Sequence, residues 1–327
     1  MAAQQDTTIT PASDAAQDPA QPLLTIVVPV YNRAALVGRT LDSIAAQTLR
    51  PLSVILVDNA STDASKAVMH KWVTEHDGAN GLDVRLLDEN ASGACAARNR
   101  GLEEVTTPWV MFFDSDDTMA PEHCANAVNA AAAHPEADII GWDVLYGKEG
   151  GPWKRLTFLY HNLAYNNMFN SSLATQRYMC RTALMREIGG WDPEVLVWND
   201  IELGARLAQK NPRCHKIKYK EPTVHIFITE NSLTGGGFGA RPEDKIMALN
   251  RIKRYVPREW TALKGTILSA YCTRDKSLDG RGLMESYVFM AKKGWHRRMM
   301  RFAYYYTLHG HRGIARILKP VLAKQTK

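Results

Sequence analysis

The sequence has few cysteines and no long hydrophobic run, and these absences exclude several classes of protein. Its five cysteines are scattered over 327 residues, and no two have C-x-x-C spacing. We therefore expect no disulfide framework and no cysteine zinc site, and a reducing compartment, the cytoplasm, fits best. The longest stretch without formal charge, residues 156–176, contains six asparagines and serines. It is too polar for a transmembrane helix.

The first 22 residues also lack the basic start and apolar run of a secretory signal. They are rich in Ala, Gln, Asp, Thr and Pro, a composition that predicts a disordered leader. Across the whole chain, 45% of residues are hydrophobic and 23% are charged. This ordinary usage excludes wholesale disorder and is enough for a sizeable core.

Charge is divided unevenly along the chain. Residues 241–327 contain 20 lysines and arginines against 6 aspartates and glutamates, a net charge of +14, whereas residues 1–240 carry −8. An acidic body with a basic end suggests chemistry in one part and contact with an anionic surface in the other. A solvated basic face without a partner is the alternative.

Short apolar runs alternate with helical patterns in the first half of the chain. This alternation predicts a mostly parallel sheet with helices on both faces. The predicted strands are Leu24–Val30, Ser53–Val57, Asp83–Leu87, Trp109–Phe113 and 138–142, and the helices begin near Val37, Ala64, Ala94 and Glu122. Residues 148–172 are irregular, which predicts a long loop or hairpin. Residues 182–188 and 201–209 are predicted helices, 218–228 a strand, 234–239 a flexible loop, and 242–327 mostly helical with a boundary at Pro257.

Carboxylates follow two of the predicted strands. Asp114 and Asp116 come directly after an apolar strand, and Asp58 ends another. Ligands of open α/β sheets bind outside the carboxyl ends of the strands. A D-x-D pair there fits a divalent cation with a diphosphate, and Asp58 could accept hydrogen bonds from a base or a ribose. The alternatives are an acidic turn that caps the next helix and, for Asp58, a cap on the helix near Ala64.

Two further candidates lie on predicted helices. Arg98 could contact a nucleotide or hold the acidic cluster, and the sequence does not separate these roles. Asn199 or Asp200 opens a helix, so Asp200 is either a general base that faces the D-x-D site or a helix cap.

Together these segments resemble the successive motifs of family 2 glycosyltransferases with the GT-A fold. The resemblance covers about residues 23–239, and five or six motifs occur in the expected order and spacing. They are TIVVPVYNR (25–33), VDNASTD (57–63), ARNRG (97–101), FDSDD (113–117), IGGWD (188–192) and NDIEL (199–203).

The resemblance implies a nucleotide-sugar donor, Mn²⁺ or Mg²⁺, and inversion of the anomeric centre by direct displacement. It implies that Asp114 and Asp116 bind the metal and that Asp200 deprotonates the acceptor hydroxyl. The residues implied to bind the nucleotide sugar are Pro29, Tyr31, Arg33, Asp58, Arg98, Asp114 and Ser115.

Three features depart from the family pattern. Asn199 stands where the family usually has Glu, so acceptor contacts are expected to differ. The turn at 90–93 is one residue longer than usual. His225 is a candidate for the histidine that often assists the metal, although the neighbouring motif would place that residue at Thr229; a strand histidine is the alternative.

The sequence therefore predicts a GT-A domain over 23–240 between a leader, 1–22, and a basic helical extension, 241–327. The expected activity is transfer of a sugar, from a UDP-sugar above all, to a glycan or lipid-linked saccharide. A nucleotidyltransferase is one alternative, but it would need a glycine-rich phosphate loop after the first strand. The other is a non-catalytic binding protein that docks through its basic end, although Asp58, Asp114, Asp116 and Asp200 are all present.

Residues 283–308 are predicted to form one amphipathic helix. Trp295, Met299, Phe302 and Tyr306 share one face, opposite Lys292, Lys293, His296, Arg297 and Arg301. This pattern fits a helix that lies in an anionic membrane surface, which would put the enzyme at the inner face of the membrane. Packing of the apolar face on the catalytic domain is the alternative, and no nucleic-acid module is visible.

Overall fold

The computed structural model describes residues 21–228 and 238–322. The predictions for residues 1–20, 229 and 234–237 lie outside this part of the chain. Eleven strands are described: β1 (Leu24–Val30), β2 (Leu52–Asp58), β3 (Leu82–Asp88), β4 (Trp109–Phe112), β5 (Thr118–Met119), β6 (Ile139–Gly141), β7 (Val144–Gly147), β8 (Lys154–Leu156), β9 (Tyr178–Arg181), β10 (Cys214–Lys216) and β11 (Val224–Phe227).

Twelve α-helices accompany these strands in the described residues. They are α1 (Val37–Ala45), α2 (Ser65–His76), α3 (Ala94–Glu104), α4 (His123–Ala133), α5 (Leu163–Asn170), α6 (Thr182–Glu187), α7 (Asn199–Gln209), α8 (Pro242–Ile252), α9 (Arg258–Asp275), α10 (Gly280–Met290), α11 (Gly294–Leu308) and α12 (Ile314–Leu322). Within the same ranges, no helix is both long and apolar enough to cross a bilayer.

The main sheet has seven strands in the order β10-β6-β9-β4-β1-β2-β3. Four of its six neighbouring pairs are parallel, and β9 runs antiparallel to both β4 and β6. The predicted mostly parallel sheet is therefore confirmed. A second sheet, β5-β11-β7-β8, lies beside it, and its strand β5 directly follows the acidic cluster.

Both faces of the central strands are buried. Along β1, Ile26 and Val28 pack in the core with α1, α2 and α4, whereas Val27 between them packs in a second core with α3, α6 and α7. Successive side chains of a strand point to opposite faces, so an uninterrupted apolar run such as residues 24–30 can fill two cores. This is why short apolar runs in the sequence identified the central strands.

The second half of the chain departs from the prediction in several places. Residues 148–172 contain β8 of the hairpin β7–β8 but also α5, which was missed. The three asparagines of α5 are poor helix formers, and Asn166 and Asn167 are buried by tertiary packing. Strands β9 and β10 were missed because each has only three or four residues. The predicted strand 218–228 is limited to β11.

The single helix predicted over 283–308 is wrong. Two helices, α10 and α11, occupy this region, and the backbone is extended at Ala291 and Lys293 between them. His296, which was placed on the basic face, is fully buried. The C-terminal helices form a third core with α5 and α7, and Pro257 is the N-cap of α9, as the predicted boundary requires.

Candidate active site

The carboxyl ends of β1, β2 and β4 meet at one edge of the main sheet, where most of the predicted site residues lie. Val30 pairs with Asp58 in the parallel register, so Tyr31 and Arg33 follow β1 beside the end of β2. Asn32 connects the loop after β1 to the loop after β2. Its backbone N–H donates to Ser61 Oγ (3.1 Å), and its Oδ1 accepts from the Thr62 N–H (2.8 Å). The predicted neighbours are thus brought together.

Asp58 is a buried carboxylate with one oxygen left for a ligand. Its Oδ2 accepts a hydrogen bond from the Ser61 N–H (3.3 Å), whereas Oδ1 is buried without a partner. The alternative of a helix cap does not hold, because it is Asp63 Oδ1 that accepts from the Ser65 N–H at the start of α2 (2.9 Å). A buried unpaired acceptor is costly, so Oδ1 suits a donor such as a base N–H.

The other residues assigned to nucleotide binding differ in exposure. Tyr31 is 55% exposed and presents a ring at the mouth of the site, whereas Pro29 and Ser115 are buried. Arg33 lies between these extremes, with its Nε 3.8 Å from Asp116 Oδ2. Tyr31 and Arg33 are therefore accessible to a ligand, and Pro29 and Ser115 shape the edge from within.

Arg98 and Asp114 form a buried ion pair. The Arg98 guanidinium donates to Asp114 Oδ1 at 2.7 Å and lies over the Trp191 ring, 4.4 Å from its centroid. Burial lowers the pKa of Arg98, but Asp114, Cys95 and Asp200 together outweigh burial and hold this pKa above its usual value. Gly101 allows α3 to pack closely against β1, because a Cβ at this position would lie 2.4 Å from Val27 Cγ1. The structure thus favours the role of holding the acidic cluster.

Gln176 is a site residue that the sequence did not reveal. Its Nε2 donates to Asp114 Oδ2 (2.6 Å) and to Asp117 Oδ2 (2.5 Å). Asp117 also accepts from the Phe227 N–H of β11 (2.8 Å), which ties the acidic loop to the second sheet. Burial, and then the nearby carboxylates, raise the pKa of Asp117 well above its usual range. Gln176 follows a stretch predicted as irregular, so no periodic signal marked it.

The Asp116 carboxylate is held differently from that of Asp114. Both oxygens of Asp114 accept hydrogen bonds from side chains, whereas Asp116 Oδ2 lies 3.8 Å from Arg33 Nε, and the charge of Arg39 also acts on it. Burial, and then Asp114, raise the pKa of Asp116. Strand β5 lies between this cluster and α4, whose N-cap is Glu122, so the cluster does not cap the next helix.

The described residues do not group three His, Cys, Asp or Glu side chains that could hold a metal by themselves. Mg²⁺-type sites commonly use one or two carboxylates and complete their coordination with phosphate oxygens and water. Asp116, with Asp114 beside it, fits such a site. His225 lies on β11 and its ring packs edge-on against Trp153, 4.9 Å away.

Asp200 lies in the first turn of α7 and is half-buried. The N-cap is Trp198, in a left-handed conformation (φ 60°), so Asp200 is not the capping residue. Asn167, missed in the sequence, donates its Nδ2 to the carbonyls of Asp200 (3.4 Å) and Ile201 (3.1 Å). Gly204 permits this contact, since a Cβ there would lie 2.1 Å from the amide nitrogen of Asn167.

The electrostatics around Asp200 connect it to the acidic edge. Burial raises its pKa, while the backbone of Ile201 and the charges of Lys264 and Arg98 oppose this and Asp114 adds to it. A carboxyl group with a raised pKa can take a proton near neutral pH, as a general base must.

Comparison with known proteins begins with the family. The sequence model of glycosyl transferase family 2 matches residues 25–187, which contain β1 to β9. A teichoic acid poly(glycerol phosphate) polymerase of Staphylococcus epidermidis is 41% identical over 99 residues, 30% of this chain and 13% of that protein. A PGL/p-HBAD biosynthesis glycosyltransferase of Mycobacterium bovis is 27% identical over 190 residues, 57% of this chain and 70% of its own length.

Solved structures show the same fold. S. aureus TarS 1–349 in complex with UDP-GlcNAc has a TM-score of 0.61 at 17% identity, covering 91% of this chain and 92% of that chain. The mannosyltransferase PcManGT of Pyrobaculum calidifontis, in complex with GDP-Man and Mn²⁺, has a TM-score of 0.54 at 20% identity, covering 95% and 90%. The expected GT-A fold is confirmed. The family motifs and the architecture agree, and the chain belongs to glycosyl transferase family 2.

Proposed function

We propose that this glycosyltransferase is metal-dependent, transfers a sugar from a nucleotide sugar to a hydroxyl acceptor and inverts the anomeric centre. The observation that carries the proposal is the arrangement at one sheet edge. An unpaired buried oxygen of Asp58 and the Asp116 carboxylate follow neighbouring strands of the sheet, and the charges of Arg98 and Asp114 act on Asp200. We propose that Asp58 contacts the nucleotide base, that Asp116 contacts a metal-bound diphosphate, and that Asp200 contacts the acceptor hydroxyl.

For the donor, we propose a UDP-sugar. Asp58 Oδ1 would accept from the base N–H, with Tyr31 and Arg33 near the base and the phosphates, and Arg98 would keep Asp114 in place beside the ribose. TarS has been solved with UDP and with UDP-GlcNAc, whereas PcManGT binds GDP-Man. A bound divalent cation on Asp116 and Asp114 would neutralise charge on the departing diphosphate.

For the transfer itself, we propose that Asp200 acts as the base. The acceptor hydroxyl gives its proton to the Asp200 carboxylate while its oxygen forms a bond to the anomeric carbon. The bond from that carbon to the diphosphate oxygen breaks, and its electron pair leaves with the nucleoside diphosphate. Attack from the face opposite to the leaving group inverts the centre.

For the acceptor, we propose a glycan or lipid-linked saccharide at a membrane surface. Four aromatic side chains of the C-terminal helices are exposed: Phe289 (78%), Trp295 (46%), Phe302 (54%) and Tyr305 (43%). We call them the aromatic patch. Exposed Lys292, Lys293 and Arg298 lie next to them in the sequence. Exposed aromatic rings beside basic side chains suit insertion at an anionic interface, although the helix break means that the patch spans two helices.

A donor screen tests the proposed function. UDP- and GDP-sugars are added to the full chain with Mn²⁺ or with EDTA, and thermal unfolding is followed. A donor at 100 times its dissociation constant should add about 2.7 kcal/mol to the free energy of unfolding. We expect UDP-sugars to stabilise the protein in Mn²⁺ far more than in EDTA. Equal midpoints for every nucleotide sugar, with and without the metal, would contradict the proposal.

A further inference from the structure

A buried lysine of the C-terminal helices lies beside the start of α7. Lys264 of α9 is 6% exposed, and its Nζ lies 4.5 Å from the centroid of the Trp198 ring. The ammonium donates to the Met168 carbonyl at 2.5 Å. In the described ranges it forms no salt bridge, so a cation is held in the interior without a carboxylate in direct contact.

The same short helix fixes both Lys264 and the backbone at Asp200. Helix α5 presents the Met168 carbonyl to Lys264 and, from the preceding residue, the Asn167 amide to the carbonyls of Asp200 and Ile201. The Trp198 ring lies next to the Lys264 ammonium, and Trp198 is the N-cap residue of α7. The geometry therefore fixes Lys264 relative to the first turn of α7.

This arrangement costs stability. Burial lowers the pKa of Lys264 to about 8, and the effect of the Asp200 charge only partly opposes it. Lys245 of α8 is equally buried, but its Nζ caps loop carbonyls at Phe238 (3.0 Å) and Ala240. Lys245 is not among the largest influences on the pKa of Asp200. Lys245 thus contacts carbonyls next to α8, whereas Lys264 contacts α5 and the N-cap residue of α7, which makes Lys245 the matched control.

We propose that Lys264 is a positioning residue for the transfer reaction: its buried ammonium, held beside the first turn of α7, keeps the Asp200 carboxylate ionised to receive the acceptor proton. This inference depends on the proposed role of Asp200 as the base. Lys264 belongs to the C-terminal helices, beyond the segment that the family model matches. The helical region would then complete the acceptor half of the active site.

Several groups besides Lys264 influence the pKa of Asp200. Arg98 of α3 is a second cation that favours the ionised form, and Asp114 opposes it. Asp200 is coupled as well to Arg177 and Tyr178, next to one another at the start of β9, and Lys245 acts on Lys264. Since Lys264 lowers the pKa of Asp200, its removal raises that pKa. Activity then needs a higher pH.

The test compares Lys264→Met, Lys264→Arg and Lys245→Met in the full chain. We measure kcat against pH at saturating UDP-sugar with Mn²⁺, and UDP affinity by thermal shift. For Lys264→Met we expect the acidic limb of the kcat–pH profile to move to higher pH by about one unit. At a pH on this limb, kcat should then be about tenfold lower than in the wild type, and it should recover at higher pH. The Lys264→Arg protein should keep the wild-type limb, and all three should bind UDP normally.

An unmoved limb in Lys264→Met, or an equal shift in Lys264→Arg or Lys245→Met, would overturn the inference. If Lys264→Met does not fold, Lys264→Gln keeps a donor for Met168 without the charge and is held to the same criterion. Asp200→Asn separates this inference from the function: if it is inactive while Lys264→Met has the wild-type profile, only the inference fails. If Asp200→Asn is active, the base assignment fails first.

Discussion

The sheet edge and the C-terminal helices hold their charges in opposite ways. At the edge, three carboxylates of one loop are gathered within reach of each other and restrained by Arg98, Gln176 and Arg33. On the helices, most cations lie apart on the surface, and some are paired, such as Arg301 with Glu285 (2.7 Å). Gathered like charges raise each other's pKa and suit a ligand of opposite charge. Dispersed charges suit an extended anionic surface.

The two regions also meet. Helices α5 and α7 pack against the C-terminal helices in one core, and α7 carries Asp200. The acidic edge carries the residues proposed to bind the donor, whereas Asp200, the proposed base, lies where both regions contribute. The two proposed functions therefore have separate structural supports, and substitutions should separate them.

Asp200→Asn is expected to have the largest effect. The amide cannot accept the hydroxyl proton, so kcat should fall by about 10²–10⁴-fold. Donor affinity, supported by the sheet edge, should stay the same. Transfer assays and UDP-sugar binding measured on the same preparation check this, and near wild-type turnover would mean that the acceptor half does not depend on Asp200.

Asp116→Asn should act on the donor half alone. It removes a proposed metal ligand and also lowers the repulsion among the acidic residues, so the protein should fold and be no less stable without ligand. We expect the extra stabilisation by UDP in Mn²⁺ over EDTA to disappear. A variant in which Mn²⁺ still strengthens UDP binding would contradict the metal assignment.

The double substitution Trp295→Ser/Phe302→Ser tests the surface role of the helices. Both side chains are about half exposed, so folding should be little affected, while the loss of two aromatic groups should weaken liposome binding by at least about tenfold. Flotation with anionic and neutral vesicles at low salt measures this. Leu159→Ser, an exposed apolar residue outside these helices, is the control. Equal flotation of all proteins would remove the aromatic patch as a membrane contact.

Two buried bases should change how the stability of the fold depends on pH: His123 at the start of α4 and Lys264 of the C-terminal helices. His123 is buried behind the sheet, with Nδ1 2.7 Å from Thr223 Oγ1, and burial lowers its pKa to about 3. The unfolded chain binds a proton at higher pH than the folded one, so His123 destabilises the fold as the pH falls from about 6.5 toward 3. We expect about 3 kcal/mol between pH 7 and pH 4. Denaturant unfolding of His123→Gln should lose that part of the pH dependence.

Burial also lowers the pKa of Lys264, but the effect on stability falls in a different pH range. Its folded pKa of about 8 lies below the usual value of 10.5, so the unfolded chain binds the extra proton and stability should rise between about pH 8 and 10.5. Lys264→Met should lack this rise, whereas His123→Gln should keep it. The same slope in both variants would contradict the assignment.

The main sheet and the residues at its edge could be predicted from the amino-acid pattern. Residues 24–30 and 52–58 are continuous apolar runs ending in polar residues, and parallel strands bring such ends to one edge. Asp58, Asp114 and Asp116 could therefore be predicted as neighbours. Arg98 could be placed on a helix, but its roles could not be separated before its bond to Asp114 was known.

Tertiary structure alone decided the supports of the site. Gln176 and Asn167 are polar residues in segments without a clear period, and they matter because packing leaves them facing buried carboxylates and carbonyls. The break between α10 and α11 was missed because amphipathic spacing continues through residues 291–293 although the backbone does not. Lys264 looked like one more charge of a basic region. Only burial, which depends on how distant helices pack, distinguishes it from its exposed neighbours.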